Sequence, residues 1–269
     1  MSEHAPNRIT RIFDEHRQAN TKALMPFVVG GHPTPDSLPN LLKSMDAAGA
    51  DIIEIGFPFS DPIADGPVIA AAMHEALQNQ VTPGKILESI SAVRPHINAG
   101  LVAMLSVSIT DRLGRASFLD RAVAAGLDGV ILPDLDPEEA PEVANLCDQR
   151  GLALGLLVGP ATTGSRLAGI LESCRGFVYL LARAGITGES DTAPEVEARV
   201  AELRKLTPLP IACGFGIVSP SQVEAVTKHA DAAIVGSALV RRLQTSSDPA
   251  TCASAFVQEL STGLAKPAG

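Results

Sequence analysis

The feature that most constrains this chain is a series of eight short apolar runs in which hydrophobicity is continuous rather than alternating. They are ALMPFVV from Ala23, DIIEIG from Asp51, LVAML from Leu101, DGVIL from Asp128, LALGLLV from Leu152, FVYLL from Phe177, PIACG from Pro210 and AAIVG from Ala232. A strand with one wet face alternates, whereas a strand buried on both faces does not. These runs therefore read as parallel strands covered by helices. Helical stretches lie between them, and AAGAD before the second run, AAGLD before the fourth and KHADAA before the eighth each end a helix and lead into a strand. A doubly wound open sheet also shows this layout, but eight units favour a single closed (β/α)8 TIM barrel. Extra helices are expected at both ends: one within residues 1–20, and one or two from Ser237 to about Leu264. Residues 265–269 read as a frayed tail, and no linker divides the single domain over 1–269.

A net charge of −9 over 269 residues argues against nucleic acid or an anionic membrane as the main partner. An anionic small molecule stays possible, because backbone N–H groups and helix N-termini hold anions whatever the net charge. The N-terminal MSEHAPNRITRIFDEHRQAN has no apolar core of signal-peptide type, and no run reaches the length of a membrane span, so a cytoplasmic location is expected. Cys147, Cys174, Cys213 and Cys252 form no C-x-x-C pair. They are expected to be small core residues, not disulfide partners or zinc ligands.

Barrel active sites lie at the C-terminal ends of the strands, which shortens the list of residues to question. Gly30 to His32, Glu54, Ser106, Ser108, Pro133, Asp134, Gly159 to Thr163, Ala184 to Gly188, Gly214 to Gly216, Gly236 and Ser237 pass this filter. Glu54 stands out because it interrupts an apolar strand, where a carboxylate is costly unless a partner or a task explains it. Burial raises its pKa toward neutrality, which suits a group that both gives and takes a proton. The alternative is an interior Glu satisfied by a neighbouring hydroxyl or amide. Asp65 and Asp61 follow in the proline-rich loop FPFSDPIADGP, where an Asp is as readily a cap or a turn brace as a catalyst.

A second cluster, CGFGIVSP and IVGSALV, brings glycines and helix starts to the ends of the last two strands, where barrels commonly bind phosphate. Gly214 and Gly216 permit close backbone approach, and Gly236 with Ser237 starts a helix whose first N–H groups face the ligand. Other chemistries find less support. No lysine falls at a strand end, which weakens a Schiff-base aldolase. Only His32 among the histidines does, so no metal cluster is indicated, and His32 reads as a loop residue. No G-x-G-x-x-G follows the first strand.

Taken together, PFVVGGHP, DIIEIGFPFSDPIADGP, VILPDLDPEE, GFVYLLARAGITG and CGFGIVSPSQV resemble, in order and over nearly the whole chain, the tryptophan synthase α-subunit family. The resemblance implies a carbon–carbon lyase that cleaves indole-3-glycerol phosphate to indole and glyceraldehyde 3-phosphate by a retro-aldol reaction, with no metal and no organic cofactor of its own. It implies Glu54 as general acid/base, Asp65 as acceptor of the indole N–H, and Tyr179 as the tyrosine near the glutamate. By the same likeness Phe27, Met104, Thr187 and Phe215 line the indole pocket, and Gly188, Gly214, Gly216, Gly236 and Ser237 hold the phosphate. Thr187 belongs to the GITGESDTAP loop, whose closure excludes water.

The implied partner is a β subunit carrying pyridoxal phosphate, in an α2β2 heterotetramer that passes indole through a channel. Two rivals share these residues: a stand-alone lyase releasing indole, and a weakly catalytic subunit that mainly activates the β chain. Two departures from the family pattern stand out. Ser106-Val107-Ser108 replaces the usual Tyr-x-Asn, and His32 stands where Asp or Tyr is common.

Overall fold

The computed structural model describes residues 7–61, 66–182, 196–214 and 216–264. In chain order the elements are α1 (Arg8–Ala19), β1 (Ala23–Val29), α2 (Leu38–Ala47), β2 (Ile52–Gly56), α3 (Pro67–Gln78), α4 (Pro83–Val93), β3 (Gly100–Met104), α5 (Val107–Leu113), α6 (Arg115–Ala125), β4 (Gly129–Ile131) and α7 (Ala140–Asp148). There follow β5 (Ala153–Gly155), β6 (Leu157–Val158), α8 (Gly164–Ser173), β7 (Val178–Leu181), α9 (Glu197–Leu203), β8 (Ile211–Gly214), α10 (Pro220–Thr227), β9 (Ala232–Val235), α11 (Ser237–Gln244) and α12 (Pro249–Ser261). Every pairing between neighbouring strands is parallel, in the order β5-β4-β3-β2-β1-β9-β8-β7-β6.

The two ends of that order are consecutive in sequence, separated by Leu156 alone, so the sheet closes on itself. The fifth run is thus not the continuous strand its apolarity suggests. Its first half pairs with β4 and its second with β7. The switch occurs because Arg175, just before β7, exchanges both backbone hydrogen bonds with Leu154 at 2.9 Å in an antiparallel bridge. The chain also spends two helices where one suffices, with α3 and α4 before β3, and α5 and α6 before β4. Gly114, at φ +81°, turns the chain between the latter two.

Alternate strand residues sort into two cores, as a period of two requires. Ile53, Ile55, Leu101, Val130 and their like face the helices, while Met25, Ile52, Val102, Ile131, Phe177, Tyr179 and Ile234 fill the barrel. The bottom of the interior is plugged by α1, whose Ile9 and Phe13 are buried there, with Phe13 tilted against Phe177 at 6.1 Å between ring centroids. Gly100 makes room for the plug, since a Cβ there would stand 2.4 Å from Ile9 Cδ1.

The recurring Asp at the helix-to-strand junctions has a definite task. Asp51, Asp128 and Asp231 accept hydrogen bonds from amides in the first two residues of the neighbouring strands, from Leu24, Leu101 and Ile211 at 2.8, 2.9 and 2.8 Å. Each also donates its own backbone N–H to the carbonyl of that same residue. Side chains complete these knots: the His16 ring on Asp51, and the cations Arg8 and Arg94 on Asp128 and Lys22 and Arg204 on Asp231. They all lie at the N-terminal ends of the strands, the face a barrel uses for stability.

Of the four cysteines, Cys147, Cys174 and Cys213 are buried and Cys252 is half-buried; all are free thiols. Two closing helices follow the last strand, and α1 lies within the expected N-terminal segment. The expected tail, 265–269, lies outside the described residues.

Candidate active site

The opposite end of the barrel carries the candidate residues. Glu54 is the third residue of β2. The alternation that sends Ile52 inward sends Glu54 inward too, paired in register with Phe27 on β1 and Val102 on β3. It is fully buried, and among the described residues neither carboxylate oxygen has a hydrogen-bond partner. Among those residues, no hydroxyl or amide supplies the hydrogen bond that a satisfied interior Glu requires. Burial alone pushes its pKa up to about 8, because the charged form loses its hydration and gains nothing in return.

Around Glu54 the strand ends are shaped by small residues. Phe27 fits between Gly56 and Gly236: a Cβ on Gly56 would lie 2.5 Å from Phe27 Cζ, and one on Gly236 would lie 3.5 Å from Phe27 Cβ. Met104 ends β3, half-buried, in register with Gly56 and Ile131. Tyr179 faces the same interior from β7, its hydroxyl 3.2 Å from where a Gly214 Cβ would be, so Gly214 leaves room for the phenol.

Next to these, the last two strand ends supply the expected cradle. Gly216 has φ +77°, a conformation that favours glycine, and the turn after it is pinned by a 2.7 Å hydrogen bond from the Val218 amide to Gln222 Oε1. Gly236 precedes α11, and its carbonyl accepts the first helical bond, from Val240 N–H, at 3.1 Å. Ser237, buried, opens that helix, whose leading N–H groups have no partner within it.

The structure thus gathers Phe27, Glu54, Met104, Tyr179, Gly214, Gly216, Gly236 and Ser237 at one barrel end. Asp65, Thr187, Gly188 and Phe215 lie outside the described residues. Among the described residues no group of three or more His, Cys, Asp or Glu side chains is placed to hold a metal ion, and no helix is long and apolar enough to cross a membrane.

Two features escaped the reading of single segments. Ser106 and Ser108 do more than remove an aromatic wall. The Ser106 hydroxyl donates to Asp134 Oδ2 at 2.6 Å, lies 2.6 Å from the Ser108 hydroxyl, and caps α5, while Asp134 Oδ1 accepts the Val107 amide at 2.8 Å. Asp134 stood among the strand-end residues, but its partners are 27 and 28 positions away, beyond any local pattern. His32, read as a loop residue, is 1% exposed and sits 3.2 Å by Nδ1 from Glu75 Oε2 on α3.

Comparison with known proteins settles the family. The model of the family described as "Tryptophan synthase alpha chain" matches residues 13–266. The chain belongs to the tryptophan synthase alpha chain family. Curated relatives include the alpha chain of Synechococcus sp. strain CC9902, 40% identical over 264 residues that cover 97% of this chain and 98% of that one. Another is the alpha chain of Halorhodospira halophila, 41% identical over 88% of each. Among solved structures, Mycobacterium tuberculosis tryptophan synthase superposes with a TM-score of 0.87 at 33% identity, covering 96% of this chain and 98% of that one. The alpha subunit from Legionella pneumophila gives 0.88 at 30%, with the same coverage. Membership makes the chain a lyase of tryptophan biosynthesis that cleaves indole-3-glycerol phosphate, on the TIM barrel expected from its strands.

Proposed function

We propose that Glu54 carries both proton transfers of the cleavage. With its pKa pushed up to about 8, Glu54 begins as the neutral acid and donates its proton to C3 of the indole ring. The ring becomes a cationic indolenine, whose N–H Asp65 accepts and whose charge Asp65 stabilises. The Glu54 carboxylate then takes the proton of the glycerol hydroxyl. The C–C bond breaks, its electron pair returns to the ring, and indole leaves with the C3 proton while the side chain leaves as glyceraldehyde 3-phosphate. Proton count and electron pairs balance without metal or organic cofactor. Phe27 and Met104, with Phe215 and Thr187, line the indole end. Tyr179 packs beside the reacting carbon, and Gly188, Gly214, Gly216, Gly236 and Ser237 receive the phosphate on backbone amides.

The single observation that carries this reading is the inward, fully buried carboxylate of Glu54 at the active end of the barrel, without a hydrogen-bond partner among the described residues. The family pairs with a β chain. For this chain we infer an α2β2 assembly in which the β subunit holds pyridoxal phosphate and receives indole through a channel. Steady-state cleavage of indole-3-glycerol phosphate, with and without a β subunit, tests the whole reading. Glu54→Gln and Asp65→Asn are each expected to lose at least about 100-fold in kcat. Near-wild-type turnover of either variant removes the role assigned to that residue. High turnover that a β subunit leaves unchanged marks a stand-alone lyase, and inactivity in both conditions marks a subunit that only activates its partner.

A further inference from the structure

His32 is a buried titratable group that the chemistry above does not use. It follows β1, is 1% exposed, and lies with Nδ1 3.2 Å from Glu75 Oε2 and with its ring against the Val240 backbone. Among the described residues neither ring nitrogen finds a partner in hydrogen-bond geometry. Burial lowers its pKa more than Glu75 raises it, so the ring is neutral at pH 7 and has one N–H for two neighbours. A buried polar ring left short of partners costs stability, and an apolar side chain fills such a crevice without that cost.

The position of the ring explains the cost. Glu75 belongs to α3, which starts at Pro67, two residues after Asp65, and whose Ile69 approaches Gly236. Val240 belongs to α11, one turn after Ser237. His32 is therefore packed between the helix that follows the Asp65 loop and the helix that opens the phosphate cradle, 3.2 Å from a carboxylate oxygen of the first and beside the backbone of the second.

We propose that His32 is a positioning residue for the phosphate end of the site, tying α3 to α11 so that the start of α11 is held in place to receive the phosphate. The inference rests on the reading of Gly236 and Ser237 as part of that cradle. Glycerol 3-phosphate and indole, as separate inhibitors of cleavage by the full chain, report the two ends of the site independently. His32→Ala is expected to weaken glycerol 3-phosphate about tenfold and to leave indole inhibition and kcat within about twofold, a loss of the size of one buried polar contact. Glu75→Ala, at a position 44% exposed and thus tolerant of truncation, is expected to weaken it about threefold in the same selective way. His32→Gln, which keeps a donor and an acceptor, is expected to recover part of the loss.

Gly236→Asp, whose Cβ meets nothing closer than 3.5 Å and whose charge repels a phosphate at the start of α11, is the control for the cradle itself. If it weakens glycerol 3-phosphate while His32→Ala and Glu75→Ala do not, the inference falls and the cradle stands. If Gly236→Asp has no effect, the cradle reading falls and takes the inference with it. Equal weakening of both inhibitors in the His32 and Glu75 variants marks a merely structural role and also overturns the proposal.

Discussion

Replacing Glu54 with Gln is expected to stabilise the protein while abolishing its chemistry, and the size of the gain follows from where the carboxylate sits. In the unfolded chain Glu54 ionises with a pKa of 4.5; in the fold burial moves it to about 8. Between those values the native state binds more protons than the unfolded state. Stability is therefore fully present below pH 4.5 and falls by about 1.4 kcal/mol per pH unit as the pH rises toward 8. At pH 7 the accumulated cost is about 3 kcal/mol. Gln has nearly the shape of the neutral acid and a comparable desolvation cost, but it cannot ionise, so it removes this cost and little else. The variant is expected to gain about 3 kcal/mol over wild type at pH 7 and almost nothing at pH 4.5. In a chain of 269 residues that corresponds to a rise in midpoint of about 5 °C at pH 7. Urea unfolding of both proteins at pH 5, 6, 7 and 8 measures the difference directly. If the two stability curves run parallel across that range, Glu54 is not a buried neutral acid, and the argument for its proton chemistry fails with it.

The same group predicts a pH profile: kcat/KM is expected to fall as the pH rises through about 8, because Glu54 must start protonated, and a plateau extending well past that pH contradicts its role as the initial acid. Asp128→Ala removes the acceptor of the Leu101 amide and of Arg8 and Arg94. The variant is expected to lose about 3 kcal/mol in urea unfolding, with kcat per folded molecule unchanged. Gly56→Ala places a Cβ 2.5 Å from Phe27 Cζ and Gly100→Ala one 2.4 Å from Ile9 Cδ1. Both are expected to cost about 1–3 kcal/mol of stability, but only Gly56→Ala, at the active end, is expected to raise KM for indole-3-glycerol phosphate.

The comparison of Asp51 with Glu54 shows what the sequence could and could not disclose. Both are carboxylates of one short run, DIIEIG, Asp51 just before β2 and Glu54 within it. Continuous apolarity located the strand, and the period of two set Glu54 on the same face as Ile52. That much is local and therefore legible, as is a helix start after Gly236. What each carboxylate meets is decided by neighbouring strands and helices, and no periodicity reports it. Asp51 finds the Leu24 amide and His16 at 2.8 and 2.9 Å, while Glu54, three residues on, finds no hydrogen-bond partner. The same blindness hid the Ser106–Asp134 bond, the burial of His32 and the break of the fifth strand at Leu156, each fixed by a residue distant in sequence. At the N-terminal ends of the strands Asp51, Asp128 and Asp231 spend their carboxylates on fixing neighbouring strands. At the other end Glu54 is left without hydrogen bonds at a cost in stability, and that unmet capacity is what a proton-transferring group requires.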